Sequence, residues 1–291
     1  MLTIVKWTEQ YFKKHYIESP RLDAEMLLAF VCQCSRIDLY LDYDKPLRAE
    51  EREQFRELVK KRVQGMPVAY LMGEKGFWNL DLFVERGVLI PRPDTETLVE
   101  KSCDAIQKWQ KLHLKKTCSI LEIGTGTGAI PLALCSSLQN ICCISVDVSE
   151  DALKIASKNL RRHSNLLNPR FNSLKLIQGN QFQMLSRSAE FDFIISNPPY
   201  IPTGQIALLQ KEILFYEPKQ ALDGGEDGLD FYRNIFLNGV KHLKVNGELL
   251  LEIGYDQVQG IQALLPDSME LICIAEDLQS HPRVWHGNRL G

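Results

Sequence analysis

Ser119-Ile120-Leu121-Glu122-Ile123-Gly124-Thr125-Gly126-Thr127-Gly128-Ala129 is a short apolar run that breaks into three glycines at alternate positions. A brief apolar run bounded by glycine is the pattern of a buried strand. Glycines after a strand let the backbone turn tightly and approach a ligand without side-chain clash. A helix expected from Ala129 would offer the unpaired N–H groups of its first turn. Ile141–Val146 reads as the next strand. Asp147 stands at its end, about twenty residues beyond the glycines, where a carboxylate can accept the protons of ribose hydroxyls. Gly124, Thr125, Gly126, Thr127, Gly128 and Asp147 are therefore expected to line a nucleotide-type cofactor site. Gly124, Gly126 and Ala129 also satisfy the relaxed dinucleotide fingerprint, so these residues alone leave both a dinucleotide and S-adenosylmethionine open.

Working outward, strands and helices alternate after residue 117, which predicts an α/β fold with a parallel sheet and helices on both faces. Further strands are expected at Leu174–Ile177, Phe191–Ser196 and Glu248–Ile253. A helix over 229–243 carries Tyr232, Ile235, Phe236, Gly239, Val240 and Leu243 on one face. A helix near 256–265 precedes strands at Leu271–Ala275 and Arg283–Leu290. Upstream, Leu80, Leu82 and Val84 alternate with Asn79, Asp81 and Phe83, Glu85-Arg86-Gly87 reads as a turn, and Val88-Leu89-Ile90 as a second short strand. A helix follows from the Arg92–Glu96 stretch to Trp109, with Asp94 or Thr95 as its cap. Residues 1 to 65 read as helices. Ser19-Pro20 starts one whose apolar face is Leu22, Met26, Ala29 and Phe30, and another spans Arg48–Val63. The expected division is a helical domain over 1–72, a β-hairpin linker over 73–92 and an α/β domain over 93–291.

Composition narrows the class. The 291 residues are 45% hydrophobic and 24% charged, with a net charge of -3, which describes an ordinary globular protein without a global field for nucleic acid. No apolar run is long enough to span a bilayer and no signal region opens the chain, so a cytoplasmic protein is expected. The eight cysteines form no Cys-x-x-Cys pair and the six histidines show no ligand spacing. Buried free thiols and no metal are the expectation.

Phe191–Ser196 ends in Asn197-Pro198-Pro199-Tyr200. In a parallel sheet this segment opens at the same carboxyl edge as the glycine loop, where ligands of such sheets bind. Two prolines fix φ and remove two N–H donors. What remains is a stiff display of acceptors, the Asn197 side-chain oxygen and the Pro198 carbonyl. Two fixed acceptors can hold both hydrogens of an NH₂ group on a planar carbon, and Tyr200 can cover that planar group by stacking. Asn197, Pro198 and Tyr200 are the candidate catalytic residues, and Asn197, Pro198, Pro199 and Tyr200 the candidate substrate contacts.

Glycine loop, Asp147 and Asn197–Tyr200 together resemble the class I methyltransferases of planar nitrogens, which include adenine-N6 methylases and protein-glutamine methyltransferases. The resemblance spans nearly the whole chain. It takes in Gly65–Gly73, Val88–Glu96, Glu217-Pro218, Ala221-Leu222, Gly224–Leu229 and Leu251–Gly254. On these stretches the chain is similar to the release-factor glutamine methyltransferase family. The resemblance implies a Rossmann-like class I methyltransferase sheet behind a helical domain and a hairpin. It also implies S-adenosylmethionine as cofactor and N5-methylation of the glutamine in the Gly-Gly-Gln motif of class 1 peptide chain release factors, which modulates translation termination. It implies that Gly124 to Gly128 line the methionine part of the cofactor, that Asp147 holds the ribose, and that Asn197 to Tyr200 hold the glutamine, with Asn197 touching the cofactor as well. Asn180 and Gln181 fall beside the adenine, at positions where the family usually carries an acidic residue and tryptophan. The ribosomal-protein glutamine methyltransferases share the chemistry but read Pro-Arg-Ser-Pro where this chain has Pro91-Arg92-Pro93-Asp94-Thr95-Glu96. Against a nucleic-acid adenine methylase stand the acidic balance and the lack of a basic recognition domain; direct nucleic-acid contact and membrane contact are not expected, and a monomer is. The helical domain is expected to dock the release factor.

Overall fold

The computed structural model describes residues 1–114, 116–167 and 171–291. They form two compact units, one of Met1–Glu74 with Gln210–Tyr216 and one of Lys75–Leu209 with Glu217–Gly291. The sequence reading puts 210–216 with the C-terminal part, whereas in the structure this segment packs with the N-terminal helices.

The helical unit contains α1 (Leu2–Lys14), α2 (Pro20–Cys32), α3 (Asp38–Leu41), α4 (Ala49–Val63) and α5 (Val68–Met72). Its core is Val5, Phe12, Leu27, Leu28, Leu39, Phe55 and Val59. Pro20 opens α2 at a position where its missing N–H costs nothing. The expected apolar face of α2 holds in part: Ala29 is buried, Met26 and Phe30 are half-buried and Leu22 is exposed, while Ala24, Leu27, Leu28 and Val31 complete the buried side. Two overlapping apolar stripes run along this helix, and tertiary packing buries more of the second. Arg62, near the end of α4, is buried and carries two carboxylates. Its Nε donates to Asp23 Oδ2 at 2.7 Å and its Nη1 to Glu212 Oε2 at 2.5 Å. Gln210 donates to Glu18 Oε1 at 2.7 Å and Tyr216 to the carbonyl of Gln64 at 3.2 Å. These bonds hold the 210–216 segment on the helices.

In the second unit, β1 (Glu74–Phe77) and β2 (Leu80–Phe83) form the hairpin. Trp78, at its tip, takes a positive φ of 57°. The expected pair, Leu80–Val84 with Val88–Ile90, is thus one strand out of place. Val88 and Ile90 are buried but lie in irregular chain, so their apolar character reflects burial and not a strand.

The main sheet has seven strands in the order β5-β4-β3-β6-β7-β9-β8. They are β3 (Cys118–Ile123), β4 (Ile141–Asp147), β5 (Asn172–Gln178), β6 (Phe191–Ser196), β7 (Leu243–Glu252), β8 (Met269–Glu276) and β9 (Pro282–Arg289). The first five pair parallel, and β9 pairs antiparallel with β7 and with β8. Successive strand residues point to opposite faces. Ile120, Phe193, Ile195 and Leu250 pack in one core with Leu98 and Ile106 of α6 (Thr95–Leu112) and Ile130 and Leu134 of α7 (Ala129–Ser137). Leu121, Ile194, Leu249 and Leu251 pack in a second core with Tyr232, Ile235, Phe236 and Ile261. Both faces are covered, as the alternating pattern requires. The region expected as one helix over 229–243 buries the predicted face but is not uniform. A short α-helix (Asp230–Asn234) passes into a π-helical stretch (Ile235–Gly239) and a final 3₁₀ turn (Val240–His242). A Cβ on Gly239 would lie 2.6 Å from the Phe182 ring, so this irregular turn makes room for that side chain.

Among the described residues no helix is long and apolar enough to cross a membrane, and no cluster of ligating side chains could hold a metal ion. The cysteines are free; Cys103, Cys118, Cys135 and Cys143 are buried, but Cys273 is exposed, against the expectation of buried thiols throughout.

Removing the cation of a buried ion pair leaves its carboxylates uncompensated. Arg62→Ala is expected to destabilise the helical unit by about 3–5 kcal/mol in urea unfolding. A loss below about 1 kcal/mol would show that Asp23 and Glu212 do not depend on it.

Candidate active site

β3 and β6 leave the sheet side by side, and β4 flanks β3 on its other side. Beyond their carboxyl ends the chain forms one cleft within the second unit. Gly124, Thr125, Gly126, Thr127, Asp147, Asn180, Gln181, Asn197 and Pro199 line it. Pro91, Arg92 and Thr95 line it too, as do Pro218, Ala221 and Phe231. The first nine come from the sequence reading. Three other expected residues lie just behind the surface. Gly128 caps α7 with φ 80°, Pro198 is buried, and Tyr200 turns its hydroxyl to Glu252 Oε1 at 3.3 Å. Tyr200 therefore does not line the cleft as a stacking platform.

The glycine loop is held by its neighbour strand. Gly124 N and Thr125 N donate to the carbonyl of Val146 at 2.8 and 3.2 Å, and Gly126 N donates to Asp147 Oδ2 at 2.9 Å. Gly124 and Gly126 take φ of 82° and 53°, which other residues adopt only under strain. A Cβ on Gly126 would meet no protein atom within 4 Å, so the strand-side packing leaves that position open toward the cleft. Thr125 turns its hydroxyl inward to Glu122 Oε2 at 2.7 Å.

Asp147 accepts from Ser149 N through Oδ1 at 2.8 Å, and each of its oxygens keeps a further lone pair. Burial raises its carboxyl above the ordinary range against the pull of backbone N–H groups. Burial pushes Glu122, directly behind the loop, up to about 7. Loop, carboxylate and open glycine face fit a cofactor that carries an adenosine ribose.

Beyond β5, Gly179 N donates to the carbonyl of Asp147 at 2.9 Å and brings Asn180 to the cleft. Gln181 takes a positive φ of 51°, and its side-chain oxygen accepts from Asn234. Phe182 packs away from the cleft, stacked on His242.

Beyond β6, Asn197 Nδ2 donates to Thr95 Oγ1 at 3.1 Å. That bond sets which way the amide faces and leaves its oxygen as the group shown to the cleft. No described residue donates to that oxygen or to the carbonyl of Pro198. Gln257 pins the loop from behind, donating to the carbonyls of Tyr200 at 2.9 Å and Gly228 at 3.2 Å. Arg92 pairs with the buried Glu217 at 2.6 Å, and Glu217 also accepts from Ile90 N at 3.2 Å. Thr95, Arg92, Glu217, Gln257 and Glu252 were not singled out for the site from sequence, although all but Gln257 fall in stretches that carry the family resemblance.

Cleft, glycine loop and Asn-Pro-Pro-Tyr corner together define a class I methyltransferase. The comparisons agree. Residues 3–73 match the model of the PrmC N-terminal domain and residues 108–227 that of the methyltransferase small domain. The release factor glutamine methyltransferase of Rhodopirellula baltica is 36% identical over 98% of this chain and 94% of its own. That of Xylella fastidiosa (strain Temecula1) is 39% identical over 92% of each. A methyltransferase structure from Pyrococcus furiosus shares the fold, with a TM-score of 0.50 at 18% identity over 82% of this chain and 99% of its own. The chain belongs to the release factor glutamine methyltransferase family.

The two buried glutamates give a test of these electrostatics. Glu122 and Glu252 titrate near 7 in the fold against an ordinary 4.5. Between those values the folded chain holds protons that the unfolded chain has released, so stability falls as pH rises. Calorimetry is expected to show Tm decreasing from about pH 5.5 to about pH 7.5, and Glu122→Gln to flatten that slope. A Tm that rises over this interval would contradict the assignment.

Proposed function

We propose that this enzyme transfers a methyl group from S-adenosylmethionine to the side-chain amide nitrogen of the glutamine in the Gly-Gly-Gln motif of class 1 peptide chain release factors, as a cytoplasmic monomer. The observation that carries the reading is the Asn197 side-chain oxygen in the glycine-lined cleft, with the Pro198 carbonyl next to it in the chain and no described residue donating to either. Gly124 to Gly128 would hold the methionine part of the cofactor, Asp147 the ribose, and Asn180 with Gln181 the adenine. When bound, S-adenosylmethionine supplies an electrophilic methyl group on a sulfonium.

The protein supplies position. A carboxamide has two N–H donors, and the two acceptors take both. The nitrogen is then fixed with its out-of-plane electrons toward the cofactor. That lone pair is delocalised into the carbonyl, so orientation and proximity carry much of the rate. The transfer would exchange the sulfonium–methyl bond, whose electrons go to sulfur, for a nitrogen–methyl bond, with one amide proton released to solvent; among the described residues no histidine lines the cleft to take that proton first. Arg92 and Glu217 join two cleft-lining loops on the substrate side, so their pairing shapes the entrance. A Gly-Gly-Gln loop suits such an entrance because a backbone without side chains can thread it.

A glutamine amide identifies no particular protein, so selectivity has to come from elsewhere. We assign it to the helical domain over 1–72, joined through the 73–92 segment to the catalytic part over 93–291. Exposed Trp7, Tyr16, Ile37, Leu41 and Tyr43 give that domain contact surface without catalytic groups.

Asn197→Ala is expected to slow methyl transfer by roughly 10²–10³-fold, the scale for one preorganised partner at a reacting centre, with affinity for S-adenosylhomocysteine unchanged by calorimetry. A rate within about twofold of wild type would make Asn197 structural. Gly126→Val places a branched side chain in the open face of the loop and should abolish cofactor binding. Labelled S-adenosylmethionine offered with release factor, ribosomal protein, DNA and RNA is expected to mark the release factor, and a mark on any other acceptor alone would reject the substrate. Docking predicts kcat/KM at least about 10²-fold higher on the whole factor than on a short Gly-Gly-Gln peptide; equal values would leave the helical domain a structural cover.

A further inference from the structure

Away from the cleft, three side chains with chemistry of their own meet at one end of the main sheet. Cys273 of β8 holds its Sγ 3.8 Å from Nδ1 of His286 on β9. The Nε2 of the same ring lies 2.6 Å from Oε2 of Glu248 on β7. β8 is the outermost strand, with β9 next to it and then β7. Cys273 is exposed, His286 is buried, and Glu248 is partly covered. None of the three lines the cleft.

The register of the sheet builds this arrangement. His286 lies opposite Leu250, and Glu248 opposite Asn288. Glu248 is therefore the diagonal neighbour of His286 on the same face, within reach of a long side chain. On the other side β8 carries one extra residue. Leu271 pairs with Gly287 and Cys273 with His286, which leaves Ile272 as the bulged position. A regular ladder would set Ile272 against His286; the bulge sets the thiol there instead.

Each contact has a polarity. A carboxylate accepts and never donates, so Nε2 carries the hydrogen that points to Glu248. In a neutral imidazole Nδ1 is then the bare nitrogen, and it faces the thiol. At 3.8 Å that contact is open, as such contacts often are before a ligand tightens them. Nucleophile, base and a group that orients the base stand in hydrogen-bonding order. We propose that Cys273, His286 and Glu248 form a nucleophilic site that exchanges with low-molecular-weight disulfides and keeps the product as a mixed disulfide on Cys273.

The exchange balances with these groups alone. The Cys273 sulfur attacks one sulfur of R–S–S–R while His286 takes the thiol proton. A Cys273–S–S–R bond forms, the S–S bond of the reagent breaks, and its electron pair leaves on RS⁻. His286 returns the proton to that thiolate, so RSH departs. Cys273 is oxidised and the leaving half of the reagent is reduced. Acyl transfer would need donors for an oxyanion besides these three groups, whereas exchange develops none. A histidine that merely tied β9 to β7 would leave Cys273 with the reactivity of any exposed thiol. The proposal is independent of methyl transfer and of its substrate.

The test follows how fast Cys273 of the whole chain reacts with bis(2-hydroxyethyl) disulfide at about pH 7, read by peptide mass after an acid quench. The samples are folded wild type, guanidinium-unfolded wild type, His286→Gln and Glu248→Gln, with N-acetylcysteine correcting for the denaturant. Folded Cys273 is expected to react about tenfold faster than unfolded Cys273, because the base stands beside it only in the fold. The adduct should be reversed by dithiothreitol. His286→Gln should return Cys273 to about the unfolded rate, and Glu248→Gln should slow it more than about twofold. A folded wild-type rate less than about twofold above the unfolded one overturns the proposal, as does either variant reacting within about twofold of wild type. Should the variants fail to fold, the folded and unfolded wild type decide between them.

Discussion

The parallel pairing of β3 with β6 is the constraint on which the site depends. Ile123 lies opposite Ser196, and the Ser196 hydroxyl donates across the pair to the carbonyl of Ile123 at 2.7 Å. The chain leaves β3 for β4 on one side, and β6 returns on the other, so the two loops diverge and a crevice opens between them. A one-residue slip would turn every buried side chain of β6 to the wrong face, which the two cores on either side of the sheet do not tolerate. Gly124 and Asn197 are thus fixed as neighbours by packing far below the cleft.

Much of this was legible in the sequence, for reasons that differ by element. The central strands are apolar on both faces, and such runs are visible without any partner. The glycine loop and the Asn-Pro-Pro-Tyr corner are local devices whose residue types state their own backbone demands. The α2 face is ambiguous in sequence because Leu22, Met26 and Phe30 form a helical stripe as regular as the buried Ala24–Val31 one. The Val88–Ile90 run reads as a strand because apolar residues beside a cleft look like those that line a core. The residues that orient the site were opaque for a third reason. Thr95 meets Asn197 across 102 positions, Gln257 meets Tyr200 across 57, and Glu252 meets Tyr200 across 52. Threonine before a helix reads as a cap and glutamate at a strand end as surface, and only the fold shows that both are buried behind the substrate loop.

The charges of the site belong together. Glu122 lies behind the cofactor loop and Glu252 behind the substrate loop, both on strands, both buried and both near neutrality in their titration. Neither touches solvent, so neither is there for solubility, and neither is fully paired. Each is an unfavourable group that the surrounding sheet is rigid enough to hold.

The helical unit is assembled from two stretches of chain, and this bears on how the protein is made. Asp23 and Arg62 are 39 positions apart and can meet early in synthesis, but Glu212 arrives 150 positions after Arg62. By then β3, β4, β5 and β6 have already left the ribosome. The amino-terminal helices therefore wait, with Arg62 only partly neutralised, while half of the second unit is being produced, and folding cannot proceed as one finished module after another. For the same reason the first 72 residues are not a removable appendage: a gene cut there would leave the 210–216 segment exposing surface that evolved to be covered.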